Sequence, residues 1–276
     1  MPHVQGQDAS IYFEVRGTGG PPLVMIRGFA SPIGTWNGVD HDLAADHTVV
    51  VLDNRGVGRS SCPRGAYSAA VMADDVAAVM SAAGVESAHV FGTSLGGMIA
   101  QELAFKFPER VRSLSLGATT AGRGHGRVLR PSAVTALLLA AVMPRRIKAR
   151  LAAWATLSPA ARAARARPRP DSERPRKPTN APTPLLLRGL IGQAFAVLGH
   201  RAGERLARIS APTLVMHGDA DNLVDPRHAE HLTRLIPTSR LQLFAGVGHD
   251  LATEVPEQLA AAVRAHVRQV LGGDVR

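Results

Sequence analysis

Ser94 stands at the centre of the segment Gly92-Thr93-Ser94-Leu95-Gly96, between an apolar strand-like run and a helix-like stretch. A serine on so abrupt a turn takes a strained backbone conformation. Glycines two positions before and after it prevent β-carbons from colliding with the neighbouring strand or helix. The hydroxyl is then exposed at a helix N-terminus, where N–H groups favour developing negative charge. Although the five-residue pattern alone is common, these flanks predict an activated serine nucleophile.

A serine hydroxyl needs a general base, and the base needs an acid to orient it. Both are expected on loops that follow late strands. His249 lies on the glycine-rich loop after the last apolar run, and we predict that it is the base. Asp221 is the predicted acid. Asp219 and Asp225 share its loop, and we interpret them as a turn residue and a helix N-cap.

Acyl-transfer chemistry also requires N–H donors for a developing oxyanion. The N–H of Leu95 follows the nucleophile, and the N–H of Phe29 lies in the loop after an early apolar run. We predict that these two groups form the oxyanion hole. We predict that a substrate pocket is lined by Arg27, Gly28, Met143, Trp154 and Val224.

Short apolar runs alternate with helix-like periodicity along most of the chain, which predicts a parallel sheet covered by helices on both faces. The predicted strands are 11–15, 23–26, 48–53, 89–92, 111–117, 213–216 and 240–244. The predicted helices of this part are 36–45, 69–83, 95–106, 226–235 and 256–271.

An insertion interrupts the alternation at residues 121–206 and is predicted to be a helical cap between the core segments 1–120 and 207–276. Helical patterning is expected at 132–155, with a break at Pro144, and again at 183–206. The Pro/Arg-rich stretch at 167–182 is expected to be a mobile loop. Such a cap would lie over the carboxyl ends of the strands, where open α/β sheets bind ligands.

The net charge of +10 is concentrated in the insertion, where residues 121–188 hold fifteen Lys or Arg and two acids. Because aromatic residues do not interleave with these arginines, we interpret them as a solvated surface and expect no nucleic-acid partner. Cys62 is the single cysteine and excludes an internal disulfide. No signal peptide or membrane-spanning segment is recognised, so the expected location is cytoplasmic.

The histidine spacing does not predict a metal site, and no cofactor is expected. His228 and His231 are three residues apart on a predicted helix, and we interpret them as part of its solvated face. The loop Gly56-Val57-Gly58 lacks the Lys-Ser/Thr or third glycine of a phosphate-binding motif.

Three motifs together resemble the α/β-hydrolase superfamily: Asp53-x-Arg55-Gly56-x-Gly58-x-Ser60, His217-Gly218-x-x-Asp221 and Gly248-His249. The resemblance implies a mostly parallel eight-stranded sheet, with the cap inserted after the sixth strand. The stretch 229–249 is similar to esterases of the aclacinomycin methylesterase type. Segments 117–122 and 143–146 are similar to intracellular polyhydroxyalkanoate depolymerases. Superfamily members usually have His-Gly where this chain has Arg27-Gly28, and Arg27 could form a structural ion pair or favour an anionic substrate.

The expected function is hydrolysis of a carboxylic ester through an acyl-enzyme, with a small to medium, mainly apolar acyl group or a methyl ester as substrate. The same triad could act on a lactone or a carbon–carbon bond, or serve a cofactor-free haloperoxidase or perhydrolase. A ligand-binding role is the alternative of another class. The sequence does not determine whether the protein is a monomer or a homodimer.

Overall fold

The computed structural model describes residues 2–124, 128–133, 135–136, 143–166 and 187–273. Eight strands form one sheet in the order β1-β2-β4-β3-β5-β6-β7-β8. β1 pairs with β2, and β2 with β4, in antiparallel fashion, whereas the remaining neighbours are parallel. The strands are β1 His3–Gln5, β2 Ser10–Arg16, β3 Pro22–Ile26, β4 Thr48–Leu52, β5 Ala88–Thr93, β6 Val111–Gly117, β7 Thr213–Gly218 and β8 Ser239–Phe244.

Helices cover both faces of this sheet, which confirms the predicted fold class. They are α1 Val39–Leu43, α2 Ala69–Ala82, α3 Leu95–Lys106, α4 Arg145–Thr156, α5 Pro159–Ala166, α6 Leu187–Gly199, α7 Arg227–Leu235, α8 Leu251–Glu254 and α9 Pro256–Leu271. One apolar core contains Met80 and Leu103 of α2 and α3, and the second contains Leu43 and Val263 of α1 and α9. Strands β3 and β4 are mainly apolar because they are buried between these two layers.

The register of the sheet brings distant loops to one edge. Ile26 at the end of β3 pairs with Gly92 of β5, so the loop after β3 begins beside the turn that carries Ser94. Gly218 of β7 pairs with Phe244 of β8, so the loops after these strands also lie side by side. The carboxyl ends of parallel strands meet at this edge, and it is where the candidate site is found.

Most predicted strands and helices are confirmed within a few residues, but the predicted helix 36–45 is wrong. A 3₁₀ turn, Ile33–Trp36, and the short helix α1 take its place. Asn37 has φ 52° and Gly38 has φ 91°, and this left-handed backbone stops a continuous helix. β1, α5 and α8 were not predicted from the sequence pattern.

The segment between β6 and β7 contains α4, α5 and α6, and residues 131–133 and 135–136 are helical too. Pro144 precedes α4 directly, as the predicted break requires. α6 packs tightly on the core, because a Cβ at Gly192 would come 2.6 Å from the Tyr67 ring. The expected mobile loop at 167–182 lies outside the described residues, and the division of the chain at residues 120 and 206 stays a prediction. No helix in the described ranges is both long and apolar enough to cross a membrane.

Candidate active site

Ser94 occupies the turn between β5 and α3 with φ 54° and ψ −120°, a conformation that L-residues rarely adopt. The flanking glycines are required by contact: a Cβ at Gly92 would overlap the carbonyl of Gly96, and one at Gly96 would overlap that of Ile26. Hydrogen bonds to the β6 end and the residues after it hold the strained residue. Its N–H donates to Gly117 O at 2.8 Å, and its carbonyl accepts from Thr119 Oγ1 at 2.7 Å. The turn therefore fixes the direction of the Ser94 side chain.

His249 lies between Ser94 and Asp221. Its Nε2 is 3.1 Å from Ser94 Oγ, and its Nδ1 is 2.7 Å from Asp221 Oδ2. The geometry is satisfied when Nδ1–H donates to the carboxylate and Nε2 accepts the serine hydroxyl proton, a tautomer inferred from the hydrogen-bond network. The structure thus brings together the three side chains that the sequence singled out.

Asp221 is buried, and both oxygens of its carboxylate have hydrogen-bond partners. Oδ1 accepts the N–H groups of Leu223 and Val224 at 2.7 and 2.9 Å, and His217 Nε2 lies 3.0 Å from Oδ2. Burial by itself would raise the pKa of Asp221. The attraction of His249 and the hydrogen bonds from His217 and His249 outweigh burial, and they hold this pKa well below its usual range. The residue therefore stays a carboxylate at neutral pH.

The pKa of His249 results from opposed contributions. Burial is the largest single contribution and lowers it, whereas the charge and the hydrogen bond of the Asp221 carboxylate raise it. Asp250 raises it further and Arg27 lowers it. The net pKa of His249 lies above the ordinary value, so this imidazole holds a proton more readily than an isolated one.

The loop after β3 lies against Ser94. A Cβ on Gly28 would come 3.0 Å from Ser94 Cβ, so the two backbones approach closely. Asn54 Nδ2 donates to Arg27 O at 2.8 Å, and the N–H of Ala30 donates to Gln193 Oε1 at 2.8 Å. Across the described residues, neither the N–H of Phe29 nor that of Leu95 donates a hydrogen bond. The assignment of these two N–H groups to an oxyanion hole stays a prediction.

The other predicted pocket residues have different environments. Arg27 is buried and forms an ion pair with Asp250. Val224 is buried in the loop of Asp221, where its N–H and carbonyl face Asp221 and His217. Met143 and Trp154 are exposed by 36% and 40%, before and within α4.

The carboxylates of Asp219 and Asp225, the other two acids of this loop, form hydrogen bonds away from His249. Asp219 Oδ1 accepts the Gly246 N–H at 2.6 Å, so this carboxylate ties the two loops together. Asp225 Oδ1 accepts the Arg227 N–H at 3.0 Å at the start of α7, although Pro226 occupies the N-cap position itself. Asp219 lies in a turn, as predicted, whereas the prediction that Asp225 is the helix N-cap is wrong, because the N-cap is Pro226.

One prediction about histidines is wrong. His228 is buried, and its Nδ1 lies 3.0 Å from Thr120 Oγ1. The face of α7 that carries His228 and Leu232 packs on the core, so it is not solvated. Where the structure describes the chain, no group of three or more His, Cys, Asp or Glu side chains could hold a metal ion.

Three side chains that support the site were not predicted from the sequence: Asn54, Gln193 and Glu254. Asn54 and Gln193 hold the loop after β3, and Glu254 accepts the Gly248 N–H at 3.1 Å beside His249. Asn54 lies within the Asp53 motif, between Asp53 and Arg55, so a local signal existed for it. Gln193 and Glu254 lie in helical segments without such a signal.

A hydroxyl, an imidazole and a carboxylate joined by hydrogen bonds can remove the proton from the hydroxyl, and adjacent N–H donors can stabilise an oxyanion.

In comparisons with known proteins, a family model described as alpha/beta hydrolase fold matches residues 21–254. Rhodomycin D methylesterase DauP of Streptomyces sp. (strain C5) is 30% identical over 90% of this chain and 91% of its own. A putative carbamate hydrolase, RutD of Azorhizobium caulinodans, is 45% identical, but the alignment covers only 42% of this chain and 43% of the relative.

A solved structure of an esterase is also similar to this chain. The esterase RhEst1 from Rhodococcus sp. ECU1013 superposes with a TM-score of 0.76 at 28% identity, over 97% of this chain and 98% of the esterase.

Proposed function

The chain belongs to the alpha/beta hydrolase fold family, and on that premise we propose that it is a carboxylic ester hydrolase in which Ser94 forms an acyl-enzyme. One observation carries the proposal: Ser94 Oγ, His249 and Asp221 form a continuous hydrogen-bonded chain with contacts of 3.1 and 2.7 Å. These lengths are within the reach of a general base and of the acid that orients it.

In the first half-reaction, His249 Nε2 takes the hydroxyl proton while Ser94 Oγ bonds to the ester carbonyl carbon. The carbonyl electron pair moves to oxygen, and the N–H groups of Phe29 and Leu95 donate to the resulting oxyanion. Collapse of this intermediate breaks the carbon–oxygen bond to the alcohol. The alcohol leaves with the proton from His249, and Asp221 stabilises the transient imidazolium.

Water completes the cycle. His249 accepts a proton from water, and the hydroxide oxygen attacks the acyl carbon attached to Ser94. The second oxyanion collapses with release of the carboxylic acid, and the proton returns from His249 to Ser94 Oγ. With the ester and one water molecule as reactants, both half-reactions balance, and the alcohol and the carboxylic acid are the products.

Apolar side chains exposed near the site support a mainly apolar substrate. Phe29, adjacent to Gly28, is 36% exposed, and Trp154 lies two residues before Thr156, whose carbonyl accepts the His249 N–H. Such surfaces favour an alkyl or aromatic substituent over a charged one. Arg27 does not offer a free cation to an anionic substrate, because Asp250 pairs with it.

We favour an ester over a carbamate because the likeness to the methylesterase spans nine-tenths of both proteins. The likeness to the carbamate hydrolase covers less than half of each chain. Carbamate cleavage is the second candidate, since the local identity is higher there.

The test is hydrolysis of p-nitrophenyl esters of increasing acyl length, a methyl ester, a lactone and a carbamate. Wild type is compared with Ser94→Ala and with Ser132→Ala, an exposed serine that serves as the matched control. We expect Ser94→Ala to lose about 10⁴-fold or more in kcat and Ser132→Ala to retain wild-type turnover. Mass spectrometry of acid-quenched enzyme should show the acyl group on the peptide that contains Ser94.

Turnover of esters that survives in Ser94→Ala would overturn the mechanism. Serine-dependent turnover confined to the carbamate would replace the proposed substrate class and leave the mechanism intact. A wild type inactive on the whole panel, with Ser94 unlabelled, would contradict the enzymatic function itself.

A further inference from the structure

The loop that carries His249 is bonded to the segment between α4 and α5, residues 156–158, which we call the α4–α5 junction. The N–H groups of His249 and Asp250 both donate to Thr156 O, at 2.9 and 3.0 Å. One carbonyl of the junction thus accepts from the predicted base and from the residue after it.

Glu254 makes a second connection between the same two segments. Its Oε1 accepts the Gly248 N–H at 3.1 Å and the Ser158 N–H at 2.9 Å. One carboxylate oxygen therefore joins the residue before His249 to the junction.

The base loop and the junction pack closely at this contact. A Cβ added to Gly248 would come 2.6 Å from Ser158 N and 2.6 Å from Glu254 Oε1. Ser158 is 1% exposed and Leu157 is 3% exposed, so the junction is buried. The Glu254 N–H donates to Asp250 O at 3.1 Å, which fixes α8 against the base loop.

We infer that Glu254 is a positioning residue for His249: it locks the base loop to the α4–α5 junction and so maintains the contact between His249 Nε2 and Ser94 Oγ. The inference rests on the proposed function for its kinetic consequences. It follows that the segment between β6 and β7 does more than border the substrate, because its backbone holds the general base. A shift of the base by about 1 Å can cost up to 100-fold in rate.

The experiment compares Glu254→Asp, Glu254→Gln and the matched control Glu257→Gln, an exposed residue in the first turn of α9. Aspartate keeps the charge, but its shorter side chain cannot reach both N–H groups. Glutamine keeps an acceptor oxygen at the same distance. With the preferred ester, we expect Glu254→Asp to lose about 10- to 100-fold in kcat with KM changed less than about threefold. Glu254→Gln should stay within about threefold of wild type in kcat, and the control should match wild type.

Fluorescence quenching reports on the junction without any turnover. Trp36 is fully buried, whereas Trp154 in α4 is 40% exposed, so acrylamide quenches mainly Trp154. We expect stronger quenching in Glu254→Asp than in wild type and Glu254→Gln, because α4 is released from the base loop. The His249 ring resonances in NMR spectra should shift in the same variant.

A rise in KM with unchanged kcat in Glu254→Asp would overturn the inference, since the junction would then act on substrate binding alone. Lower thermal stability with unchanged kcat would overturn it as well, because Glu254 would only stabilise the fold. If wild type itself lacks serine-dependent turnover, the proposed function fails. The inference is then decided by the Trp154 quenching and the His249 resonances, and wild-type values for both in Glu254→Asp would refute it.

Discussion

Arg27 Nη2 lies 3.3 Å from Asp250 Oδ1, so an ion pair joins the residue before Gly28 to the residue after His249. The Arg27 guanidinium also stacks 4.9 Å from the centre of the Trp36 ring, and its Nε donates to Thr35 Oγ1 at 3.0 Å. These contacts fix the cation beside the base, where the sequence had left a structural pair and an anion-binding role open. Arg27 and Asp250 therefore act on the same imidazole with opposite charge.

Removing either charge should move the acid limb of the pH–rate profile, and in opposite directions. Arg27 lowers the pKa of His249 and Asp250 raises it. Because His249 must be neutral to act as a base, activity rises as pH increases through this pKa. We expect the midpoint of kcat/KM to move to higher pH in Arg27→Met and to lower pH in Asp250→Asn.

The double variant Arg27→Met/Asp250→Asn provides the control, since the two shifts should largely cancel. The profiles are measured with one ester at constant ionic strength, because salt screens interactions between charges. Shifts of the same sign in both single variants would contradict the electrostatic account and indicate a general distortion of the base loop.

The strained backbone conformation of Ser94 should lower the stability of the folded protein. At φ 54° and ψ −120° a β-carbon is strained, at a cost of about 1–3 kcal/mol, whereas glycine adopts such angles freely. Ser94→Gly and Ser94→Ala both lack the nucleophile. We expect the glycine variant to exceed the alanine variant by about 1 kcal/mol in the free energy of unfolding, measured with urea, after the greater chain entropy of glycine is included.

The matched control is Ala261→Gly at an exposed position within α9. There the backbone is helical, so glycine should lower the free energy of unfolding by about 0.5–1 kcal/mol. If Ser94→Gly has a free energy of unfolding lower than that of Ser94→Ala by the same amount, the turn is not strained.

The sequence predicted the turn at Ser94 because its requirements are local: a strand, a helix and two glycines at fixed offsets. It also predicted the loops of Asp221 and His249, since parallel strands bring their carboxyl ends to one edge. The supports of these loops could not be predicted in the same way. Gln193 and Glu254 are ordinary helical residues in the sequence, and their partners lie 163 and 96 residues away. Only the tertiary packing of α6 on the core and of α8 on the α4–α5 junction gives them a role.

His89 should make the protein sensitive to mild acid. This side chain of β5 is 1% exposed and bonds through Nδ1 to Ser113 Oγ at 2.8 Å. Burial, and then the charges of Arg112, His266 and His47, lower its pKa to about 4. The folded state thus binds this proton less readily than the unfolded chain, whose histidines titrate near 6.5. The free energy of unfolding should fall as pH decreases from about 6.5 to about 4, by roughly 3 kcal/mol at most.

Urea unfolding at several pH values tests this expectation. His89→Asn keeps a polar group near Ser113 but removes the titration, so its stability should depend less on pH over that window. His3→Asn, at an exposed position, should retain the wild-type dependence. If His89→Asn follows the wild-type curve, the acid sensitivity arises elsewhere.

Gln193 should affect catalysis from α6, because both ends of its buried amide hold loops of the core. Oε1 accepts the N–H of Ala30 at 2.8 Å, and Nε2 donates to Arg55 O at 2.9 Å. Ala30 has φ 57°, so the backbone that presents the Phe29 N–H depends on this bond. We expect Gln193→Ala to lower kcat by about 10- to 100-fold, through loss of one well-placed oxyanion donor.

Gln193→Ala should also lower the free energy of unfolding by about 2–4 kcal/mol, because two buried backbone groups lose their partners. Gln193→Glu distinguishes the contributions of the two loops, because it keeps the acceptor for the Ala30 N–H and loses the donor to Arg55 O. If Ala30 is the contact that matters for catalysis, Gln193→Glu should be as unstable as the alanine variant yet retain more of its kcat. Gln258→Ala, at an exposed position of α9, should leave both quantities unchanged. Equal losses of kcat in Gln193→Ala and Gln193→Glu would shift the catalytic role from Ala30 to the Arg55 loop.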